Sequence, residues 1–550
     1  MRVVTPGAAI AAAIVAASGS ASAQEGTWAL TNARIETVTH GVIERGTIVI
    51  RDGLIVAVGP SVTVPSDARV VDLTSKTVSP GLIDLTSTMG LASATQPAGR
   101  VAAPAPAPTP AAGPIGLEPD RTIADELKLS GAEVKSTRDV GITAVLVAPN
   151  RGAFRGMSAL VPLRDSAGTS RVLRSPVALH MGFQGVGSGF GGDYPGTLLG
   201  VIAYERQAFY DAQRLGVMLD RYRAGQRGMA RPEYDARLTA LVPVVRGAMP
   251  VFFDANNENE IRRAVREAKE FELKLVITGA TEGFRALDAL AGRPVVVSVN
   301  FPKSNEVTGW TYHWMMQHAP NDSAAADRAA RSLIEGNAAT LHRAGVKLAL
   351  ASGGTRGSDF LSNVRKAVTA GLPRDVALQA MTIRAAELVG MGEALGSIEA
   401  GKIANLVVSD GSLLGDSARV RWVFVDGVRY EVTAPAPAAA RAAAAGGAAT
   451  AQVAGTWALT INSPQGAQDA TLVAAQDGTN FSGTMTSAAG TAPVADGQVV
   501  GKAVTWTINI TMGGQSVTIS FTGEVDGNRM TGSAQIGSFG TAPFSGDRKP

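Results

Sequence analysis

The stretch Ser79-Pro80-Gly81-Leu82-Ile83-Asp84-Leu85-Thr86-Ser87-Thr88 separates two patterns in the chain. Before it, residues 28–78 alternate short apolar runs with turn signals such as Arg51-Asp52-Gly53, which predicts a small antiparallel sheet. After it, strand-like apolar runs alternate with helical stretches, which predicts parallel strands joined by crossover helices. The stretch therefore marks the entry into an α/β fold.

The parallel strands have seven candidates. These are residues 80–85, 143–148, 176–181, 250–253, 273–277, 294–299 and 346–351. Residues 257–271 and 373–388 lie between or after them and carry apolar side chains at helical spacing, as expected of helices that pack on a sheet. Seven strands are one short of a closed eight-stranded barrel, so the position of the eighth strand stays open.

The composition is that of a folded protein, because 45% of the residues are hydrophobic and 18% are charged. A length of 550 residues is too long for one ordinary domain, so two or three domains are expected. Lys and Arg together number 50 and Asp and Glu 47, and no dense basic run stands out, so a nucleic-acid partner is not expected. Small molecules or proteins are the expected partners. The absence of cysteine excludes disulfides, thiolate metal ligands and a cysteine nucleophile.

The N-terminus has the order of a secretory signal. Arg2 is followed by an apolar stretch at residues 8–17 and by Ala21-Ser22-Ala23. A retained membrane anchor is the alternative, but this stretch is about ten residues long and a membrane span needs roughly twenty. We therefore expect residues 1–23 to be cleaved, the protein to be exported to the periplasm or the extracellular space, and no membrane span to remain.

The C-terminal part is expected to be a separate all-β domain. Beyond an Ala- and Pro-rich linker at residues 432–454, which could instead hold a short helix at 438–445, the sequence becomes Thr- and Gly-rich with period-two segments. Gly455-Thr456-Trp457 opens the first strand and Arg548 closes the last, which resembles lipocalin-like barrels in which an Arg covers the Trp. A plain β-sandwich is the alternative.

Two segments resemble the amidohydrolase superfamily, nearest its imidazolonepropionase-like branch. The first is the entry stretch that ends in Gly81-Leu82-Ile83-Asp84, and the second is residues 395–408 followed by Val423-Phe424-Val425-Asp426-Gly427. The resemblance implies a TIM-like (β/α)8 barrel with a small composite β-sandwich built from both flanks, plus the C-terminal barrel or sandwich domain. The domains are then a signal peptide at 1–23, sandwich at 24–79, barrel at 80–394, sandwich at 395–431, linker at 432–454 and all-β domain at 455–550.

The resemblance also implies a divalent metal at the mouth of the barrel, which is the C-terminal end of its parallel strands. There His and Asp ligands lower the pKa of a bound water molecule. The family's first two histidines follow the strand Asp by two and four residues, which here selects Thr86 and Thr88. Neutral hydroxyl groups are poor substitutes for imidazoles.

The later ligand positions differ in the same way. The middle-strand histidine corresponds to Asp254, and the late Asp corresponds to Gly353 within Ser352-Gly353-Gly354, with Asp359 as a nearby replacement. We therefore expect no metal at these positions and no cofactor, and a divalent metal such as zinc only if the site is rearranged.

Three of the five histidines bear on a site. His180 ends the 176–181 strand and precedes a glycine-rich stretch at residues 182–196, so it is either a hydrogen-bonded pocket residue or a catalytic one. His313 and His318 either line a ligand pocket or cover the end of the barrel. The glycine-rich stretch is interpreted as a mobile lid, with anion binding at the following helix as the alternative.

These observations lead to three hypotheses on function. The first is an exported amidohydrolase-type scaffold for C–N bonds outside peptides that has lost its metal ligands, and so is weakly active or binds a ligand as a pseudo-enzyme. The second is an active amidohydrolase with a rearranged site, whose catalytic candidates are Asp84, His180 and Asp254. The third is a binding protein that acts through its C-terminal β domain, with a related amidohydrolase subunit as a possible partner.

Overall fold

The computed structural model describes residues 26–91, 118–165, 172–184, 197–301, 323–355, 357–415, 418–432, 451–463, 466–487, 490–512, 515–536 and 540–549. The chain separates into two compact units, and the second contains the described residues from 451 onward. Several predictions lie outside the described residues. They are the signal peptide at 1–23, the loop beyond Gln184, His313, His318 and the alternative helix at 438–445.

The first unit contains seventeen strands within the described residues. In chain order they are β1 Trp28–Glu36, β2 Val42–Arg51, β3 Leu54–Gly59, β4 Arg69–Asp72, β5 Lys76–Pro80, β6 Leu82–Ser87, β7 Ile142–Val147, β8 Phe154–Met157, β9 Ala159–Pro162, β10 Leu179–Gly182, β11 Val251–Ala255, β12 Leu275–Gly279, β13 Val295–Ser298, β14 Leu348–Ala351, β15 Leu406–Asp410, β16 Arg419–Val425 and β17 Val428–Glu431.

The two flanks of the barrel form one composite sheet, as the sequence predicts. Its order is β17-β16-β15-β5-β1-β2-β3, and β4 pairs with β1. The flanks join where β15 runs antiparallel to β5, with Leu406 opposite Pro80. Trp28, Ile48 and Phe424 are buried together in the core of this sheet. Chain segments more than 300 residues apart are therefore held in one hydrophobic cluster.

The barrel wall contains all seven predicted strands and an eighth strand that runs the other way. Residues 154–162 pass between β7 and β10, with β9 antiparallel to β7 and β8 antiparallel to β10. The six residues between β7 and β8 are too few for a crossover helix, since a parallel connection needs about a dozen or more residues. The predicted TIM-like barrel is confirmed, and its open eighth position is an antiparallel strand.

Helices surround this wall. They are α1 Gly131–Arg138, α2 Leu198–Arg223, α3 Ala236–Val245, α4 Glu258–Glu270, α5 Leu287–Leu290, α6 Ser323–Glu335, α7 Asn337–Arg343, α8 Gly357–Thr369, α9 Arg374–Met381 and α10 Ile383–Leu388. Along β11, Phe253 packs with residues of the helical layer, whereas Phe252 packs with residues of the other barrel strands. The described helices include none that is both long and apolar enough to cross a membrane.

The second unit is a closed antiparallel barrel, which decides between the barrel and sandwich alternatives. Its strands are β18 Gly455–Ser463, β19 Gly466–Asp477, β20 Asn480–Ser487, β21 Gly490–Val500, β22 Ala503–Met512, β23 Gln515–Asp526, β24 Arg529–Ile536 and β25 Gly540–Arg548. The predicted contact is present, because the guanidinium carbon of Arg548 lies 4.5 Å from the centroid of the Trp457 ring. Arg548 also donates to the carbonyl oxygens of Gln452 and Ala454.

Two carboxyl groups are buried between α2 and α4. Glu205 is fully buried and Glu267 is 5% exposed, and the two carboxyl groups are close enough to influence each other's pKa. Burial raises the pKa of Glu205 well above its usual value, with a further rise from the charge of Glu267, while Arg155 acts in the opposite sense. Burial raises the pKa of Glu267 to about 8; Glu205 and Arg206 act to lower this pKa, and the charge of Glu270 acts to raise it. Burial therefore favours the protonated form of both carboxyl groups in the folded protein.

This pair predicts a loss of stability at alkaline pH. The folded state holds a proton on Glu267 that the unfolded chain releases near pH 4.5, so the free energy of unfolding falls as pH rises from there to about 8. The slope is about 1.4 kcal/mol per pH unit for each proton. Glu267→Gln should flatten the decline of the unfolding midpoint between pH 6 and pH 9, measured by thermal denaturation. Glu270→Gln on the same helix is the control and should leave that slope unchanged, because burial is slight and ion pairing lowers its pKa. An unchanged slope in Glu267→Gln would contradict this assignment.

Candidate functional site

The candidate site lies at the mouth end of the barrel, where three parallel strands carry the predicted residues. Asp84 belongs to β6, His180 to β10 and Asp254 to β11. In the ladder between β10 and β11, Gly182 pairs with Asp254. Asp84 and His180 are 5% and 7% exposed, so these polar groups depend on partners within the protein.

Asp84 fastens the first parallel strand of the barrel to the segment after the last one. Its Oδ1 accepts from the backbone N–H of Ser352 at 2.9 Å, and its Oδ2 accepts from the Ser352 hydroxyl at 2.6 Å. The Thr86 N–H also donates to Oδ1 at 3.3 Å. Both carboxylate oxygens are therefore held by protein donors. We call these contacts the Asp84–Ser352 clamp.

Two of the positions that match the family's metal ligands, Thr86 and Gly353, are hydrogen-bonded to each other beside the clamp. Thr86 Oγ1 accepts from the Gly353 N–H at 2.8 Å, whereas Thr88 is exposed. Gly353 has a φ of +63°, and a Cβ there would lie 1.9 Å from the Ser298 hydroxyl oxygen. An aspartate at this position would clash with Ser298. The proposed replacement Asp359 is exposed in the first turn of α8.

Asp254 is bound by a cation that the sequence analysis did not single out. Arg155 is 5% exposed, and its Nη1 lies 3.0 Å from Asp254 Oδ2. The other carboxylate oxygen accepts from Asn256 at 2.9 Å. Arg155 Nε donates to the carbonyl of Gly152 at 3.1 Å, which fixes the guanidinium plane. A positive charge of the protein itself thus lies beside the carboxylate that could have bound a metal.

His180 is a buried, neutral imidazole. Burial lowers its pKa to about 3, and the charge of Arg155 acts in the same direction. Its ring centroid lies 5.3 Å from that of Phe252, and its Nε2 has no hydrogen-bond partner in the structure. A base with so low a pKa is almost entirely unprotonated at neutral pH and is a weak proton acceptor.

The three predicted residues therefore belong to two groups. In the first group, Arg155 forms an ion pair with Asp254, and its charge lowers the pKa of His180. In the second group, Asp84 is hydrogen-bonded to Ser352. None of the hydrogen bonds or ion pairs between described residues joins the two groups. Arg155 could have been noticed in the sequence as a single charge within the apolar run of residues 153–163.

A cavity of about 590 Å³ opens beside the clamp. Hydroxyl-bearing side chains predominate in its lining, together with the carboxyl groups of Asp84 and Glu133. The hydroxyl-bearing residues are Thr86, Ser87, Thr88, Ser136, Thr137, Ser352 and Thr355. Such a surface offers both donors and acceptors of hydrogen bonds, as an uncharged polar ligand requires.

The residues at the mouth do not fit the divalent metal that the family resemblance implies. Two ligand positions are threonines and a third is a glycine without room for a side chain, while Asp254 is engaged by Arg155. Within the described ranges, no three His, Asp or Glu side chains are grouped closely enough to hold a metal ion. No chemical step through a metal is therefore derived for this site.

Comparison with known proteins gives one family and a set of related folds. Residues 244–457 match the profile of the amidohydrolase family. The crystal structure of an amidohydrolase from Thermotoga maritima MSB8 is 23% identical, has a TM-score of 0.60, and covers 73% of this chain and 99% of its own. A Xaa-Pro dipeptidase with bound methionine is 16% identical with a TM-score of 0.43, and covers 74% and 100%. A molinate hydrolase is 15% identical with a TM-score of 0.42, and covers 75% and 98%.

No curated protein matches the chain. The likeness to the Thermotoga maritima protein concerns the fold, because identity is only 23%. The profile match adds sequence evidence over the later strands of the barrel and the return to the composite sheet. The first unit, with its TIM-like barrel and composite sheet, therefore has the fold of the Thermotoga maritima amidohydrolase, and residues 244–457 are similar in sequence to the amidohydrolase family.

Proposed function

We propose that this chain is an exported protein that uses its hydrolase scaffold to bind a small molecule at the barrel mouth, without a metal-dependent hydrolytic centre. The observation that carries the proposal is the ion pair between Arg155 and Asp254. The distance from Arg155 Nη1 to Asp254 Oδ2 is 3.0 Å. A guanidinium at this position repels a divalent cation and already compensates the carboxylate charge. The mouth is then suited to binding rather than to activating water.

The Asp84–Ser352 clamp supports the same proposal from the opposite side of the mouth. A metal at the family's position would need two imidazoles and a late carboxylate. Here that space is used for hydrogen bonds among Asp84, Ser352, Gly353 and Thr86. The adjoining hydroxyl-lined cavity supplies a surface for an uncharged part of the ligand.

Export and partners belong to the proposal as well. Export rests on the charge, apolar and small-residue order of residues 1–23. The partner is a small molecule, and a related amidohydrolase subunit is the protein partner that the shared scaffold suggests. A rearranged active amidohydrolase would have to use Asp84, His180 and Asp254, of which His180 is a weak base with a pKa of about 3.

A second candidate function is ligand binding by the C-terminal barrel. Trp506 is 1% exposed, its ring lies parallel to that of Phe521 at 4.6 Å between centroids, and its indole Nε1–H has no partner in the structure. By contrast, Trp457 Nε1 donates to the carbonyl of Val453 at 2.8 Å. A buried donor without an acceptor favours an apolar ligand that carries one acceptor group.

The absence of a metal centre predicts the result of elemental analysis. Purified full-length protein, dialysed against metal-free buffer, should contain no stoichiometric zinc, manganese or iron. It should also not hydrolyse a panel of small cyclic amides and dipeptide-like compounds. One metal ion per chain that is lost in Asp254→Asn but kept in Asp359→Asn would overturn the proposal. Hydrolysis that disappears in Asp254→Ala would favour the rearranged active site.

The clamp predicts a measurable loss of stability. Ser352→Ala removes the hydroxyl that donates to Asp84 Oδ2, so the free energy of unfolding should fall by about 1–3 kcal/mol. Ser136→Ala is the matched control, since Ser136 lines the same cavity but is exposed, and it should change stability little. Urea denaturation of both variants measures the difference. Equal stability of Ser352→Ala and the parent protein would show that the hydrogen bond from the Ser352 hydroxyl contributes nothing.

The C-terminal candidate predicts a bound apolar molecule. Organic extraction of purified protein followed by mass spectrometry should release one compound in the parent protein and much less in Trp506→Phe, which keeps the ring but lacks the N–H donor. Trp422→Phe, in the composite sheet, is the control and should retain the compound. Equal amounts in Trp506→Phe and the parent, or no compound at all, would contradict this second candidate.

A further inference from the structure

Two polar atoms on the wall of the barrel are buried and have no partner. They are Nη2 of Arg155 and Nε2 of His180, in side chains that are more than nine-tenths buried. A buried donor without an acceptor is costly, most of all on a charged group, so such atoms in native proteins usually meet a water molecule or a ligand. Two such atoms on neighbouring strands indicate a position where a bound molecule supplies the missing hydrogen-bond partners.

The backbone places these two residues on neighbouring strands of the barrel wall. In the antiparallel ladder between β8 and β10, His180 lies opposite Gly156, the residue that follows Arg155. The guanidinium is fixed by two contacts, from Nε to Gly152 O and from Nη1 to Asp254, which leave Nη2 free. A Cβ on Gly182 would lie only 2.3 Å from Nη2. Glycine at this position is therefore what leaves room for Nη2.

The sign of the local charge favours an anion. His180 is held neutral first by burial and then by the positive charge of Arg155. A neutral imidazole can carry its hydrogen on Nε2, so both free atoms can act as donors to one acceptor group.

We propose that Arg155 Nη2 and His180 Nε2 form a buried subsite for the carboxylate of a small-molecule ligand, with one oxygen on each nitrogen. This rests on the proposed function, because a metal ion held beside Asp254 would displace the guanidinium that forms the subsite. A guanidinium donates in its plane and a carboxylate accepts in its plane, which makes this pairing both strong and directional. Asp254 keeps Arg155 in position and does not touch the ligand.

The test uses the full-length protein after dialysis against a metal chelator, with acetate as the probe and acetamide as its uncharged counterpart. Histidine side chains are observed by heteronuclear NMR, and His180→Gln identifies the His180 signal among the five histidines. Acetate should shift the His180 signal with saturation and raise the pKa of its imidazole, because a bound anion stabilises the protonated ring. Acetamide should do neither.

Variants of Arg155 test whether this side chain binds the ligand or only supports the fold. Arg155→Lys keeps the positive charge but loses the second donor nitrogen, so it should weaken acetate binding by about tenfold or more. Arg206→Lys, an exposed arginine on α2, is the control and should bind acetate like the parent. If Arg155→Lys fails to fold, loss of acetate-dependent thermal stabilisation in a folded His180→Gln variant tests the same contact.

The possible outcomes distinguish this subsite from the proposed function. Equal shifts with acetate and acetamide, or full acetate binding in Arg155→Lys, would show that water alone completes these two atoms and would overturn the subsite. Elemental analysis of the same protein preparation, taken before the dialysis against chelator, tests the proposed function separately. A metal-free protein that does not bind acetate contradicts only the subsite, whereas one metal ion per chain contradicts the proposed function.

Discussion

The ion pair between Arg155 and Asp254 is the interaction on which the barrel mouth depends. A guanidinium that is 95% removed from solvent costs several kcal/mol unless a carboxylate and further acceptors compensate it. Asp254 supplies that charge, and the Gly152 carbonyl supplies one more acceptor. The other features follow from this pair, since Gly182 leaves room for the guanidinium and His180 remains neutral beside it.

The position of Arg155 depends in turn on the antiparallel eighth strand. The ladder between β8 and β10 is irregular, because His180 pairs with Gly156 and Met181 pairs with Phe154, which leaves Arg155 as the extra residue of a bulge. Phe154 packs edge-on against Phe209 of α2, with 5.5 Å between ring centroids. One short strand thus buries a phenylalanine among the helices and presents an arginine to His180 and Asp254.

Much of the fold was predictable because the signals are local. The seven parallel strands are continuous apolar runs, and α4 carries both helical spacing and the Asn257–Glu260 capping box. The eighth strand could not be predicted, since an apolar run gives no strand direction and the other seven strands of the barrel are parallel. Motif spacing identified Thr86 and Gly353, but the clamp depends on Ser352, which lies 268 residues from Asp84 and has no local signal. Arg155 was missed for a similar reason, because its partners come from other strands.

Both carboxylates at the mouth are satisfied by the protein itself. Asp84 receives hydrogen bonds from Ser352 and Thr86, and Asp254 receives them from Arg155 and Asn256. In a metal centre such carboxylates gain their stability by binding the cation, and folding then depends on the metal. Here the same groups are bound by donors within the barrel, Asp84 by neutral hydrogen-bond donors and Asp254 by the charge of Arg155. This leaves the unpaired nitrogens of Arg155 and His180 as the part of the mouth that still needs a partner.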